Sequence, residues 1–133
     1  MALVEFHLDT GSAVPYYVQL IQQVRQALAF GILEPGDRLP TVREVVAQVA
    51  VNPNTVHRAY RELEHDGLVV SRPGLGTFVA DAVPAALAPA SYQSLRADLE
   101  RWIQKARGLG VDDDRLAALF AHVLRENAED VVA

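Results

Sequence analysis

Residues 52 to 67 predict a single helix with both ends marked in the sequence. Asn52 can accept a hydrogen bond from a free amide of the first turn, and Pro53 fits the next position because its missing N–H would have no partner there. Gly67 can end the helix in a left-handed conformation. Between these ends an apolar stripe follows the i, i+3, i+4, i+7 spacing, formed by Val56, Ala59, Tyr60 and Leu63. We expect this stripe to face a core.

The polar face of the same helix gathers hydrogen-bond donors instead of alternating charge signs. It consists of Asn54, His57, Arg58 and Arg61, with Thr55 beside them. Guanidinium groups bind phosphate oxygens or guanine edges bidentately, and Asn, Thr and His side chains reach base edges or backbone oxygens. The face therefore suits nucleic acid. For this helix alone, a solvated amphipathic helix with a basic polar face is an equally good interpretation.

Length and composition limit the chain to one compact domain, or to a small domain with an appendage. It has 133 residues, of which 50% are hydrophobic and 22% are charged, so we expect it to fold. The absence of cysteine excludes disulfides and thiolate metal sites and is typical of a reducing compartment. The first residues lack a charged n-region and an apolar segment, and no run approaches membrane-spanning length. We expect a soluble cytoplasmic protein.

The net charge of −5 argues against a protein that coats nucleic acid non-specifically. Acidic residues also outnumber basic ones in residues 1–82, which contain six arginines, no lysine and nine carboxylates and so have a formal charge of −3. Any binding to DNA must therefore depend on where the basic groups are placed.

Two further helices are predicted before residue 52. The first follows Pro15 and keeps helical spacing of apolar residues up to Gly31. The second begins with a capping box formed by Thr41 and Glu44 and has a valine stripe, which consists of Val42, Val45, Val46 and Val49. Only Ala50-Val51 separates it from the helix at 52–67, as in a helix-turn-helix. In that architecture the later helix lies in the major groove.

A β-hairpin is predicted after Gly67. The β-prone runs 68–72 and 77–80 flank Pro73-Gly74-Leu75-Gly76. A two-stranded ribbon beside a helix-turn-helix is a wing, and its glycines would let the backbone approach a phosphate closely. Taken alone, the run favours a plain hairpin that closes the core.

The C-terminal part predicts a linker followed by two helices. Residues 82–90 are rich in Ala and Pro. The helices after them have apolar stripes, formed by Leu95, Leu99, Trp102, Ile103, Ala106 and Leu109 in the first and by Leu116, Leu119, Phe120, Val123 and Leu124 in the second. Asp112-Asp113-Asp114 precedes the last helix and is better interpreted as a cap than as a metal site.

Several of these runs together resemble the winged helix-turn-helix of the GntR family of bacterial transcription regulators. The resemblance rests on residues 33–44 (LEPGDRLPTVRE), 51–64 (VNPNTVHRAYRELE) and 74–79 (GLGTFV), with Gly67-Leu68 between them. It covers about residues 15 to 80. Several linked motifs in the right order outweigh the objection from net charge. The implied fold is mainly α with a small β-wing.

The resemblance implies operator-specific DNA binding by a homodimer. The family pattern implies DNA contacts from three regions. The first is Arg43, before the recognition helix, and the second is the recognition helix itself, with Asn52, Asn54, Thr55, His57 and Arg58. The third is the wing tip, which would reach the minor groove through Gly74 and Gly76, with Arg72 and Thr77 beside them. The basic face adds Arg61. The expected organisation is a DNA-binding domain at 1–81, a linker at 82–90 and a helical dimerisation element at 91–133.

The short tail is similar to the YtrA-like branch, in which it is a dimerisation element and the regulators often accompany ABC-transporter genes. Two short helices cannot bury both stripes on each other, so a four-helix arrangement across a two-fold axis is the expected solution. The residues expected at this interface are Leu95, Leu99, Trp102, Ile103, Leu116, Leu119, Phe120, Val123 and Leu124. The expected function is therefore a dimeric repressor on an inverted-repeat operator.

Two alternatives belong to other classes of function. The excess of acidic residues favours one alternative, a winged-helix module that binds another protein and binds DNA weakly or not at all. An enzyme is disfavoured because no activated Ser or Cys arrangement is present and the four histidines lack metal-ligand spacing. We expect no cofactor and no metal. The sequence leaves open a small-molecule effector, for which the tail or the crevice beside it is the candidate location, and it does not specify the operator or the regulated genes.

Overall fold

A computed structural model describes the backbone of residues 4–132 and the side chains of residues 4–128. The chain forms two compact units, Met1–Pro89 and Ala90–Ala133. The first contains α1 (Tyr16–Ala29), α2 (Val42–Val49), α3 (Pro53–His65), β1 (Val69–Arg72) and β2 (Gly76–Val79). The second is built from α4 (Pro89–Gly108) and α5 (Asp113–Val132). The predicted mainly α fold with a small β-wing is confirmed.

The core of the first unit lies among its three helices. The predicted stripe of α3 is buried, with Val56, Ala59 and Leu63 completely inaccessible to solvent and Tyr60 8% exposed. The α1 stripe packs against it through Leu20 and Val24, which are also inaccessible. Only one valine of the short α2 is fully buried, and its other three pack at the edge of the core. These contacts fix one face of α3 inward and leave the opposite face exposed.

The predicted hairpin is present and is anchored to the core at its base. β1 and β2 are antiparallel, with Val69 opposite Val79 and Arg72 opposite Gly76. The segment before α2 extends this ribbon, because the Leu39 amide donates to the Thr77 carbonyl at 2.8 Å. Val69 and Val79 are buried at the base, whereas the 73–75 turn is exposed. The wing therefore projects from a fixed base.

The N-terminal arm, residues 4–9, lies extended along the first unit with its apolar side inward. Val4 and Phe6 are 6% and 5% exposed. Glutamine side chains take the place of a neighbouring strand: the Gln23 carboxamide accepts from the His7 amide and donates to the His7 carbonyl, at 3.0 and 2.6 Å. Gln19 binds the backbone of Asp9 in the same way.

The second unit consists of two helices joined at Leu109–Asp112. The Asp112 side chain accepts a 2.8 Å hydrogen bond from the Arg115 amide, so it caps α5 as predicted. Among the described residues no group of three or more His, Cys, Asp or Glu side chains is arranged to hold a metal ion. Within the same part of the chain, no helix has both the length and the apolar character needed to cross a membrane.

Candidate nucleic-acid interface

The turn between α2 and α3 sets the direction of the recognition helix. Ala50 ends α2 in the left-handed conformation, with φ of 51°, and its amide still donates to the Val46 carbonyl at 2.9 Å. Val51 then enters the core, with 6% of its surface exposed. This turn brings the chain directly to the α3 cap, so the first residues of α3 lie at the surface beside α2.

The start of α3 is capped as the sequence predicts. The Asn52 Oδ1 atom accepts a 2.8 Å hydrogen bond from the Asn54 amide, and Pro53 occupies the first helical position. The side-chain oxygen of Asn52 is therefore engaged in the cap, while its amide nitrogen remains available. Asn54 and His57 are exposed along the outer face and Thr55 is half-buried.

Arg58 has internal partners on the same face. Its guanidinium carbon lies 3.8 Å from the centroid of the Tyr17 ring in α1. Its Nε atom is also 3.8 Å from a carboxylate oxygen of Glu62, one turn further along α3. Arg61 has no carboxylate within ion-pair distance among the described side chains. The two neighbouring arginines thus differ in their freedom to bind an external phosphate.

The start of α2 forms a second donor position. Thr41 Oγ1 accepts from the Glu44 amide at 3.1 Å, and Glu44 Oε1 accepts from the Thr41 amide at 3.3 Å, which confirms the capping box. Hydrogen bonding of the Glu44 carboxyl to the Thr41 backbone, and then to the Thr41 side chain, lowers its pKa, and the charge of Arg38 at 3.2 Å lowers it further. Arg43 lies between these residues in the sequence but is exposed, and it has no carboxylate partner in the described part of the chain.

The wing holds its own arginine through an aromatic contact. The Arg72 guanidinium lies 4.8 Å from the centroid of the Phe78 ring on the opposite strand. Gly74 and Gly76 have φ of +76° and +126°, conformations that side-chain-bearing residues rarely adopt. The backbone amide of Ser71 donates to a Glu64 carboxylate oxygen at 3.0 Å, which ties the first wing strand to α3. The wing and α3 are therefore fixed relative to each other.

A crevice of about 510 Å³ separates α3 from the wing. Six of the predicted contact residues line it: His57, Arg61, Arg72, Gly74, Gly76 and Thr77. Arg43, Asn52, Asn54, Thr55 and Arg58 do not belong to its lining. The interface predicted from the sequence thus divides into this crevice and the starts of α2 and α3 outside it.

The six arginines of the first unit divide into two equal sets. Arg25, Arg38 and Arg58 lie within 4.0 Å of the carboxylates of Asp66, Glu44 and Glu62. The other three, Arg43, Arg61 and Arg72, have no carboxylate partner among the described side chains. All three lie on the predicted interface, at the start of α2, on α3 and on the wing. The predicted interface therefore carries three arginines without a carboxylate partner among the described side chains, although the net charge of the chain is negative.

Comparison with known proteins identifies the family. The family model described as "Bacterial regulatory proteins, gntR family" matches residues 16–79. The HTH-type transcriptional repressor YtrA of Bacillus subtilis is 36% identical over 109 residues, which are 82% of this chain and 84% of that protein. The chain belongs to the YtrA-like branch of the GntR family. As a GntR-family protein it is a transcription regulator with a winged helix-turn-helix, and not an enzyme.

Two solved structures support the assignment to the GntR family. YtrA from Sulfolobus acidocaldarius, a GntR-family transcription factor, has a TM-score of 0.53 at 31% identity, covering 72% of this chain and 94% of that one. The DNA-binding domain of AraR in complex with operator ORX1 has a TM-score of 0.53 at 30% identity, covering 56% of this chain and 95% of that one. The first unit thus has the fold of a GntR domain that has been observed on its operator.

Four residues that organise this GntR surface escaped prediction as site residues. They are Tyr17, Arg38, Glu64 and Leu75: Tyr17 stacks on Arg58, Arg38 binds Glu44, Glu64 holds the wing and Leu75 lines the crevice. The first three act through partners in other segments, so no local spacing marks them. Leu75 could have been identified from the sequence, because it is an apolar residue between two glycines of a turn.

The second unit leaves most of its predicted interface uncovered within one chain. Leu95, Leu99, Leu119, Phe120, Val123 and Leu124 are between 43% and 60% exposed. Trp102, Ile103 and Leu116 are half-buried, and the Trp102 and Phe120 rings lie 6.4 Å apart between centroids. In this short GntR-family tail, an apolar surface on α5 and Trp102 encloses a shallow groove of about 300 Å³.

Proposed function

We propose that this regulator is a homodimeric, operator-specific repressor that acts on an inverted repeat. One observation carries the proposal: the arginines without a carboxylate partner in the described part of the first unit are Arg43 at the start of α2, Arg61 on α3 and Arg72 on the wing, and Arg61 and Arg72 line one crevice. A guanidinium group without a carboxylate partner can bind phosphates and guanine edges.

The surface also supplies the shorter donors that sequence-specific binding requires. Asn54 and His57 are exposed near the start of α3, the part of a recognition helix that comes nearest the bases. Asn and His side chains can form hydrogen bonds with base edges, whereas arginines at the rim position the protein on the backbone. A chain with a net charge of −5 should bind DNA weakly wherever this set of contacts is incomplete. The acidic balance thus favours specific over non-specific binding.

Pairing of two chains is proposed to occur through α4 and α5. The exposed stripes include Leu99 at 43%, Phe120 at 49% and Leu124 at 60%. Burying a large apolar side chain is worth about 1.5 to 3 kcal/mol, so several such residues on each of two chains favour association. A two-fold dimer would present its recognition helices to half-sites about 34 to 36 Å apart, or a multiple of that distance.

Membership in this branch of the family supports a proposal for the regulatory role and the target genes. The similar Bacillus subtilis protein is described as a repressor, which supports repression here. Resemblance to the YtrA-like branch suggests ABC-transporter genes as targets and the cytoplasm as the location. The proposal does not require a small-molecule effector.

Selection of DNA fragments by the purified full-length chain, followed by a salt titration, tests this function. We expect enrichment of an inverted repeat, bound by two chains, with an affinity that falls steeply as salt rises. If the protein enriches no particular DNA sequence, the proposal is rejected. Selective retention of another protein in the absence of DNA binding would favour the alternative of a protein-interaction module, which the net negative charge motivates.

A further inference from the structure

Leu75 projects from the wing tip as an exposed apolar side chain. It is 66% exposed, more than any other large apolar residue of the first unit that the structure describes. The turn around it is ordered, because the Leu75 amide donates to the Arg72 carbonyl at 2.9 Å. Gly74 and Gly76 on either side have positive φ, so the turn geometry depends on them and presents Leu75 at the tip.

The tip lies across the crevice from the recognition helix. Leu75, Gly74 and Gly76 form one wall, and His57 and Arg61 of α3 form the other. The major groove of B-DNA is about 12 Å wide, and a helix largely fills it. An element fixed beside that helix therefore meets the flanking sugar-phosphate backbone and the minor groove beyond it. This step rests on the proposed DNA-binding function.

An apolar side chain has few favourable partners at that position. Leucine offers no hydrogen bond to a phosphate or to a base edge, so contact with the charged backbone would not stabilise the complex. The apolar surfaces in a minor groove are the sugars and the faces of a partly unstacked base step, and architectural proteins insert leucine, among other residues, at such steps. Isolated exposed leucines are common on protein surfaces. This one, however, projects from an ordered turn next to Arg72, which has no carboxylate partner among the described side chains.

We propose that Leu75 is a specificity-determining residue that packs into the minor groove beside each half-site and opens a base step there. Pyrimidine–purine steps such as TA and CA/TG unstack most easily. The regulator should therefore prefer such a step under the wing, although Leu75 can form no hydrogen bond with its bases.

The experiment uses the full-length protein, its selected operator, and three variants. Leu75→Ser removes the apolar group, and Leu75→Lys replaces it with a phosphate-binding one. Ile32→Ser is the matched control, since Ile32 is 52% exposed, lies between α1 and α2 and is not among the residues that line the crevice. Affinity is measured at several salt concentrations, and 2-aminopurine fluorescence at the flanking step reports unstacking. Thermal unfolding verifies that each variant is folded.

We expect Leu75→Ser to weaken operator binding about tenfold or more, as the loss of one buried leucine contact implies. Its salt dependence should match that of the wild type, and the fluorescence increase should disappear. Leu75→Lys should show a steeper salt dependence without step preference, and Ile32→Ser should behave as the wild type. If Leu75→Ser binds and unstacks the operator as the wild type does, this inference is overturned while the proposed function stands. A wild-type chain that binds no DNA overturns both.

Discussion

The guanidinium of Arg58 is stacked on the ring of Tyr17, with 3.8 Å between the guanidinium carbon and the ring centroid. This contact joins the polar face of α3 to α1. A cation–π pair at a partly exposed site contributes about 0.5 to 1 kcal/mol to stability. Arg58 therefore stabilises the unit as well as contributing charge to the predicted interface.

A double-mutant cycle tests the stacking of Arg58 on Tyr17. We expect Arg58→Ala and Tyr17→Ala each to lower the free energy of unfolding, and the double variant to lower it by about 0.5 to 1 kcal/mol less than the sum. Chemical denaturation at pH 7 measures all three. Strict additivity would show that the contact contributes nothing to stability.

Arg61 and Arg58 should differ in their effects on DNA binding. Arg61→Ala removes an arginine without a carboxylate partner among the described side chains, so we expect weaker binding and a salt slope reduced by about 1. Arg58→Ala should change the slope less, because its guanidinium is shared between Tyr17 and Glu62. Equal slopes for both variants would contradict this distinction.

Arg43 and His57 are expected to contact bases. Arg43→Ala and His57→Ala should each weaken specific binding by about 1 to 3 kcal/mol, with a smaller effect on unrelated DNA. Arg25→Ala is the matched control, since Arg25 lies on α1 in an exposed ion pair with Asp66. Quantitative binding to specific and scrambled fragments compares the three. A folded Arg43 or His57 variant that binds its operator at full affinity would exclude the assigned contact.

Tyr60 should make the stability of the protein sensitive to alkaline pH. Its hydroxyl donates a 2.6 Å hydrogen bond to the Pro40 carbonyl, and burial, followed by the charge of Glu44, raises its pKa above the usual 10.0. Folding therefore favours the protonated phenol. The contribution of Tyr60 to the free energy of unfolding should therefore be independent of pH below about pH 10 and should fall as the pH rises above that value.

The variant Tyr60→Phe tests both the hydrogen bond to the Pro40 carbonyl and the raised pKa of Tyr60. It should lower the free energy of unfolding by about 1 to 3 kcal/mol at pH 7, because the Pro40 carbonyl loses its donor. It should also remove the Tyr60 part of the alkaline decline, so the difference between variant and wild type narrows above about pH 10. Denaturation curves from pH 7 to 11 measure both effects. A difference that is constant over that range would refute the raised pKa.

Local signals were sufficient to predict the elements of the fold and their caps. Asn52, Thr41 and Asp112 cap helices as their positions indicated, because a cap depends only on a side chain and the next few amides. Contacts between distant segments were not predictable in this way. The stacking of Tyr17 on Arg58 and the hydrogen bond between Glu64 and Ser71 exist only once the helices and wing have packed.

Association through the second unit is tested by placing a charge in its apolar stripe. Phe120 is 49% exposed and lies 6.4 Å from Trp102 between ring centroids. In the proposed dimer, Phe120→Asp would bury an unpaired carboxylate, which costs far more than the lost apolar contact. Sedimentation should therefore show a monomer, and operator affinity should fall by more than tenfold because a single half-site remains engaged.

Ala118→Asp is the control for Phe120→Asp. Ala118 is exposed on the same helix, at i−4 and i−7 from His122 and Arg125, and thus on the polar side of α5. It adds the same charge without entering the stripe, so we expect a dimer with unchanged operator affinity. A Phe120→Asp variant that remains dimeric would place the interface elsewhere. If the wild-type chain sediments as a monomer at the concentrations at which it binds its operator, the proposed interface is rejected. Dimerisation then no longer explains the exposed stripes of α4 and α5.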